Sequence, residues 1–268
     1  MILIKNGSII LNNTLVKKDI LIDNSLIVKI EDEIYSDCEI IDASDCLVMP
    51  GAVDVHVHLR EPGFESKETV KTGTLSSAKG GVTTILAMPN LKPCPDCLEN
   101  LNKELEIINR DALVNVYPFG SVTVNEADQE LSDIESFHDL VCAISDDGRG
   151  VNNLELLERA MQLAKKYDLV IASHAEDNYY KYSREGEYVA VLREIELAKK
   201  DVNCAIVYVP EFLRLLKSSF DSDYEDKYNY ISEVYRTLIV RDIIKRYKIK
   251  NSTCIKLINM LELSCSRK

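Results

Sequence analysis

The sequence predicts an α/β fold in which strands and helices alternate around a parallel sheet. From Leu47 onward, short apolar runs alternate with segments whose apolar residues recur at a helical period. Before that point, apolar runs are separated only by polar turns, and no helical segment is visible. Alternating strand–helix units form either a doubly wound sheet or a (β/α)8 barrel, here preceded by a small β-structure.

The first segment, residues 1–48, is predicted to be β-rich. Its beginning, MILIKNGSII, alternates apolar and polar residues, which is typical of a strand and not of a signal peptide. Asn12-Asn13 and Asp23-Asn24 interrupt the apolar runs with residue types that favour turns. We therefore expect short strands joined by tight turns in this segment.

The second segment, residues 49–209, is predicted to contain the βα units. Its strand-like runs are VDVHVH, VTTILAM, VNVYPFGSV, VCAIS and LVIASH, with CAIVYVP as a possible sixth strand. The helical segments are KETVKTGTLSSAKG, CLENLNKELEIINRDA, LSDIESFHDL, NNLELLERAMQLAKKYD and EYVAVLREIELAKK. In the fourth of these, one face of the helix is apolar and consists of Leu154, Leu157, Ala160, Met161 and Ala164.

The composition limits the partners that this chain can have. A net charge of −12 disfavours binding to a phosphate backbone, so a small anionic substrate would need its own local positive site. No apolar run approaches the roughly 20 residues of a membrane helix, and a cytoplasmic location is expected. The eight cysteines are scattered, which predicts free thiols. Cys94 and Cys97 form a CxxC without a second such pair, so a redox or metal role is the weaker alternative.

The strongest chemical signal is DVHVHLREPG, residues 54–63. Side chains two positions apart on a strand point the same way, so His56 and His58 project together at a strand end. Neutral imidazoles are good ligands for zinc and related metals. Paired histidines on a strand can also be simple packing, but here Arg60 and a Pro-Gly turn follow at once. We predict a metal site at this position.

Two further candidate ligands follow later strands. Asp146 and Asp147 come after VCAI, and His174 comes after LVIAS. One aspartate could instead cap the next helix, and His174 could be a core histidine. In a barrel, however, the chemistry lies at the C-terminal ends of the strands, where these residues would meet His56 and His58.

The second strand ends in AMPNLKP, which includes Asn90. An Asn beside prolines can be only a turn. Together with Arg60, whose guanidinium offers a fork of donors matched to a carboxylate, the Asn90 amide could instead bind an acidic ligand.

These residues resemble the dihydroorotases in which an Asp occupies the place of a carboxylated lysine. HVHLREPG, GGVTTILAMPN, SDDG, SHAEDN and SREGEYVAVLREIELAK are similar to that family's blocks, in its order and spacing, over about residues 1–200. The Arg of the first block argues against hydantoinases and allantoinases. The resemblance implies an incomplete TIM-type (β/α) barrel of the amidohydrolase superfamily, with a small N-terminal β-structure and a helical tail.

The resemblance also implies roles for the site residues. His56 and His58 would hold one zinc ion, Asp147 would ligate it or bridge to a second, and His174 would ligate the second. Arg60 and Asn90 would bind the carboxylate of the small-molecule substrate. The implied reaction is the reversible conversion of N-carbamoyl aspartate to dihydroorotate, through attack of metal-activated water on the ring amide. A homo-oligomer is compatible with this family.

The sequence departs from the family after residue 200. The family has a further His about 30 residues beyond the position of His174, whereas this chain has four His in all and none follows His174. The family's later Asp, which transfers the proton, has no counterpart either, so no catalytic residue is identified. Residues 210–268 are predicted to be a helical tail and weakly resemble a region of bacterial AAA-type ATPases, without a GxxxxGK[ST] motif.

Three hypotheses follow. The chain is an impaired, truncated dihydroorotase, or a noncatalytic dihydroorotase-like protein with a structural or partner-binding role, or a chimeric truncated product.

Overall fold

A computed structural model describes residues 1–12, 14–180 and 184–198. The chain divides into two compact units, Met1–Gly51 and a second unit that begins at Ala52. The predicted sixth strand and the predicted helical tail lie outside the described residues. No helix in the described ranges is long and apolar enough to cross a membrane.

The first unit is a four-stranded sheet in the order β3-β2-β1-β4. β1 pairs antiparallel with β2, β2 antiparallel with β3, and β1 parallel with β4. The turns use Asn12 and Asn24, both with positive φ, as their residue types suggested. The strands are β1 (Ile2–Leu11), β2 (Thr14–Asp23), β3 (Leu26–Glu31) and β4 (Glu39–Asp42).

The core of this sheet forms because alternate residues of a strand face the same side. Leu3 and Ile9 on β1 and Ile20 on β2 are buried, and Ile20 lies opposite Ile4 in the register of the two strands. The carboxylate of buried Asp19 accepts hydrogen bonds from the backbone N–H groups of Asn6 and Ile34, each at 2.9 Å. This buried acid therefore connects the sheet to the segment after β3.

The second unit is a parallel sheet in the order β5-β6-β7-β8, with helices between the strands. Sequential strand order without reversal is that of a barrel wall, whereas a doubly wound sheet reverses at a switch point. The elements are β5 (Ala52–Val57), α1 (Val70–Lys79), β6 (Val82–Ala87), α2 (Leu98–Asp111), β7 (Asn115–Gly120), α3 (Ile134–Phe137), β8 (Ala143–Ile144), α4 (Leu154–Tyr167) and α5 (Arg184–Ala198).

Several predicted elements are shorter than their sequence pattern. LSDIESFHDL forms only the single turn α3, and VCAIS forms only the two-residue β8. LVIASH is not a strand, because among described residues it contributes only a parallel bridge between Ile171 and Ile144. This bridge still extends the wall beyond β8, since Ile144 exchanges backbone hydrogen bonds of 2.9 Å with Val170 and Ala172.

The largest core cluster of the described residues lies under α4. Leu157, Ala160, Met161 and Ala164 are buried as the helical period predicted. The prediction for Leu154 is wrong, since its side chain is 49% exposed. It is the first residue of the helix. A smaller cluster connects β5 and β6 with the first two helices through Leu59, Val70, Ile85, Ala87 and Ile108.

Candidate metal centre

The two histidines of the HxH motif face each other at the end of β5. Their Nε2 atoms are 3.3 Å apart, and both rings are about one-third exposed. The strand period of two places both side chains on one face, as the sequence predicted. Two imidazole nitrogens therefore lie together at one point of the sheet edge.

The Asp147 carboxylate completes this group. It lies in the loop after β8, is 7% exposed, and its oxygens lie 3.5 Å from Nε2 of His56 and 3.4 Å from Nε2 of His58. One ligand atom from each of these three residues lies within 4.8 Å of the others. Imidazole nitrogens and a carboxylate oxygen are a donor set that suits zinc and related divalent metals. The residues present therefore fit a metal ion.

His174 approaches the same carboxylate from the loop after the Ile171 bridge. Its Nδ1 is 3.7 Å from Oδ1 of Asp147, and its Nε2 is 3.5 Å from the carboxylate of Glu176. The interaction with Asp147 raises the pKa of His174, partly against the effect of burial. The structure thus brings together all four residues that the sequence predicted as ligands, and their role as ligands stays a prediction.

Electrostatics divide the centre into neutral and charged groups. Burial lowers the pKa of His58, which favours the neutral imidazole that a metal requires. Burial alone would raise the pKa of Asp147, but His174 and the other two imidazoles more than offset it, and the pKa is lowered. The centre is therefore an ionised carboxylate surrounded by imidazoles.

Asn90 follows β6 and contacts two of the candidate ligands. Its Oδ1 is 2.9 Å from Nδ1 of His58, and its Nδ2 donates to Oδ2 of Asp147 at 2.8 Å. Sequence reasoning identified Asn90 as a candidate for carboxylate binding and missed these contacts. They depend on how two loops meet, and no spacing along the chain encodes that.

Arg60 lies two residues after His58 and is half-buried. Within the described part of the chain, its guanidinium makes no salt bridge and no side-chain hydrogen bond. Its backbone has φ 63°, which is unusual for a residue other than glycine, and such outliers are often found at functional sites. A cation without an ion-pair partner beside the metal centre suits an anionic ligand.

The loops that contain Arg60 and Asn90 are packed together. The backbone N–H of Lys92 donates to the carbonyl of Pro62 at 3.0 Å. Gly63 has φ +99°, and a Cβ there would lie 2.3 Å from the Lys92 carbonyl oxygen. Only glycine permits this backbone approach, so Gly63 sets the distance between the two loops.

Asp146 has a structural role next to Asp147. Its buried carboxylate accepts hydrogen bonds from the backbone N–H groups of Val122 at 2.8 Å and Thr123 at 3.0 Å, and from the Thr123 hydroxyl. The alternative that an aspartate of this pair caps α4 is wrong, because the cap is Asn153. Asp146 instead joins the loop after β8 to the loop after β7.

Glu194, on α5, was missed by sequence reasoning. It is 1% exposed, and the Ser173 hydroxyl donates to its Oε1 at 2.6 Å while accepting from the N–H of Ala175 at 3.0 Å. The chain on both sides of His174 is thereby fixed to a helix. The sequence feature that could have indicated this role of Glu194 is an acidic residue on the buried side of a helix.

The other chemical candidates have structural roles. Cys94 is buried, its Sγ lies 3.6 Å from the Pro89 carbonyl oxygen, and burial raises its pKa, which disfavours a reactive thiolate. His138 stacks on Tyr167 with the ring centroids 4.2 Å apart, away from the candidate ligands in sequence and in contacts.

The fold of this chain is similar to that of two solved hydantoinase structures. L-hydantoinase from Arthrobacter aurescens has a TM-score of 0.67 at 21% identity, over 80% of this chain and 55% of that one. A D-hydantoinase structure gives the same TM-score and identity over 87% of this chain and 55% of that one. These likenesses show the fold: the chain shares part of the TIM-type barrel fold of these structures, which confirms the predicted fold class.

The family follows from the sequence. Residues 45–200 match the model of the family described as dihydro-orotase-like. A dihydroorotase of Fusobacterium nucleatum is 46% identical over 177 residues, which are 66% of this chain and 42% of that protein. One of Bacillus cereus is 46% identical over 166 residues, 61% of this chain and 39% of that protein. This chain belongs to the dihydro-orotase-like family, and it spans about two-fifths of the length of these curated relatives.

Proposed function

We propose that this chain contains the metal-binding and carboxylate-binding part of a dihydroorotase, an enzyme that interconverts N-carbamoyl aspartate and dihydroorotate. The observation that supports this most directly is the convergence of three imidazoles on the Asp147 carboxylate, with Arg60 two residues from one of them. The family match supports the same reaction class.

In this proposal His56, His58 and Asp147 would hold a zinc ion, and His174 would serve as a ligand of a second ion beside Asp147. A divalent metal would supply activation of a water nucleophile and polarisation of the amide carbonyl. Arg60 binds and orients the substrate carboxylate through its planar fork of donors. A cytoplasmic location and a homo-oligomeric state stay predictions from the sequence, as do the boundaries 1–48, 49–209 and 210–268.

A noncatalytic, dihydroorotase-like role is the second candidate. The observation that favours it is the histidine count, because three of the four His lie in the centre and His138 stacks on Tyr167. No His follows His174 that could serve as a further ligand. Since general acid–base transfer typically contributes about 10²–10⁴-fold, we expect this chain alone to bind ligand and to turn it over very slowly.

Metal content tests the centre. We expect the purified chain, equilibrated with zinc and desalted, to retain metal as measured by mass spectrometry, and His58→Ala to retain less. Equal amounts of retained zinc in the unaltered chain and in His58→Ala would contradict the role of His58 as a ligand. His138→Ala is the matched control, since it deletes an imidazole outside the centre.

Turnover and substrate binding separate the two candidates. A steady-state assay of dihydroorotate ring opening with added zinc should give a rate far below that of a complete dihydroorotase, and a comparable rate would exclude the noncatalytic role. Calorimetric binding of dihydroorotate should weaken in Arg60→Lys, which keeps the charge but loses the fork. Unchanged affinity would contradict the proposed role of Arg60.

A further inference from the structure

The Asn90 side chain lies between two candidate metal ligands. Its oxygen is 2.9 Å from Nδ1 of His58, and its nitrogen is 2.8 Å from Oδ2 and 3.4 Å from the backbone oxygen of Asp147. Only the two shorter distances are normal hydrogen bonds. The amide therefore uses both of its ends within the centre.

The chemistry of these partners fixes the orientation of the amide. An ionised carboxylate can only accept hydrogen bonds, so the group that faces Asp147 is the NH₂ of Asn90. The carbonyl oxygen of Asn90 then faces His58. Since a carbonyl also only accepts, Nδ1 of His58 must carry the proton, and in the neutral ring Nε2 bears the lone pair.

That lone pair points into the centre. Nε2 of His58 is 3.3 Å from Nε2 of His56 and 3.4 Å from the Asp147 carboxylate. His56 also lies near both residues, with its Nε2 3.5 Å from the Asp147 carboxylate, but the two contacts of Asn90 are shorter, at 2.9 Å to His58 and 2.8 Å to Asp147. One amide thus sets the tautomer of one ligand and the direction of another.

We propose that Asn90 is a positioning residue of the metal centre, which holds His58 as its Nδ1–H tautomer and orients the carboxylate of Asp147. This inference rests on the proposed metal-dependent function and assigns Asn90 a task beyond carboxylate binding. With its oxygen bonded to His58 and one N–H bonded to Asp147, Asn90 has one N–H left for a substrate. Arg60 then provides most of the recognition of the substrate carboxylate.

The expected effect is a loss of metal affinity. Replacing groups that orient metal ligands typically lowers affinity about 10–100-fold. We expect Asn90→Ala to raise the dissociation constant of the full chain for Co²⁺ by about tenfold or more. Asn115→Ala is the matched control, because Asn115 is exposed and its amide, in the described part of the chain, donates a hydrogen bond of 3.4 Å to the Thr84 hydroxyl, away from the candidate ligands. It should bind Co²⁺ like the unaltered chain.

A second measurement needs no metal. In the ¹⁵N-histidine-labelled chain, treated with chelator at pH 8, long-range ¹H–¹⁵N correlation spectra report the tautomer of each ring. We expect His58 as Nδ1–H in the unaltered chain and in Asn90→Asp, which keeps an acceptor for that proton. In Asn90→Ala the Nε2–H form should appear.

The outcomes are distinct. Equal Co²⁺ affinity of Asn90→Ala and Asn115→Ala, or a His58 tautomer that is the same with and without an acceptor at position 90, would overturn the inference. Failure of the unaltered chain to bind Co²⁺ would refute the proposed function instead, and the tautomer comparison would still decide whether Asn90 positions His58. Circular dichroism checks that each variant is folded.

Discussion

Replacing Asp146 with alanine should destabilise the second unit and disturb the centre beside it. The carboxylate is 3% exposed and accepts hydrogen bonds from the N–H groups of Val122 and Thr123 and from the Thr123 hydroxyl. In Asp146→Ala the hydroxyl can rotate to another partner, but the two backbone N–H groups remain buried without an acceptor.

The magnitude follows from these two groups. A buried donor without a partner costs about 1–3 kcal/mol, which gives about 2–6 kcal/mol for the pair. Two effects reduce this value. Alanine leaves space for a water molecule, and removing the carboxylate relieves the burial that raises the pKa of Asp146 to about 6. We therefore expect a loss of about 3 kcal/mol in the free energy of unfolding.

Urea unfolding of the metal-free chain, followed by far-UV circular dichroism, measures this loss. Asp146→Asn keeps one oxygen acceptor and should lose about half as much. Glu99→Ala, at an 81% exposed side chain, controls for removal of an acid and should change stability by less than about 0.5 kcal/mol. The reasoning fails if Asp146→Ala is as stable as Glu99→Ala.

Three further predictions come from close contacts and buried charge. Under the proposed function, Gly63→Ala should weaken dihydroorotate binding more than zinc binding, as compared by calorimetry, because a Cβ at position 63 would lie 2.3 Å from the Lys92 oxygen and separate the loops that contain Arg60 and Asn90. Burial raises the pKa of Glu104 well above its usual value. The free energy of unfolding is therefore highest at low pH, where Glu104 is protonated. It falls as pH rises above about 4.3, by up to about 1.4 kcal/mol per pH unit. In urea unfolding, the stability of Glu104→Gln relative to the unaltered chain should therefore increase from pH 5 to pH 8. Gly120→Ala would place a Cβ 2.4 Å from the fully buried Phe137 ring, which should cost about 1–3 kcal/mol in the same assay.

Much of the centre could be predicted from the sequence because two regular geometries determine it. The strand period of two places His56 and His58 on one side, and the shared edge of parallel strands brings Asp147 and His174 to them. Neither argument needs a side-chain conformation. The alternation of strands and helices left a doubly wound sheet and a barrel as alternatives. The resemblance to dihydroorotases favoured the barrel, and the sequential strand order agrees with it.

What the sequence did not predict depends on how loops meet. The contacts of Asn90 with His58 and Asp147 join residues 32 and 57 positions apart. The anchoring of Ser173 by Glu194 also requires the packed position of a helix. The strand pattern of LVIASH extends over six residues, but only a bridge forms, because hydrogen bonding depends on the neighbouring short strand β8 as well as on the sequence itself.

The supports of the centre come from the same wall of the barrel as the candidate ligands. Asn90 bonds to Asp147 from the loop after β6, and Asp146 fixes the start of the Asp147 loop to residues after β7. Ser173 holds the chain next to His174 through a helix of the same unit. Ligand geometry is therefore set locally and does not depend on the residue that would transfer a proton. Within the proposed function, metal binding and substrate turnover are therefore separable, and we expect the first to be present where the second is weak.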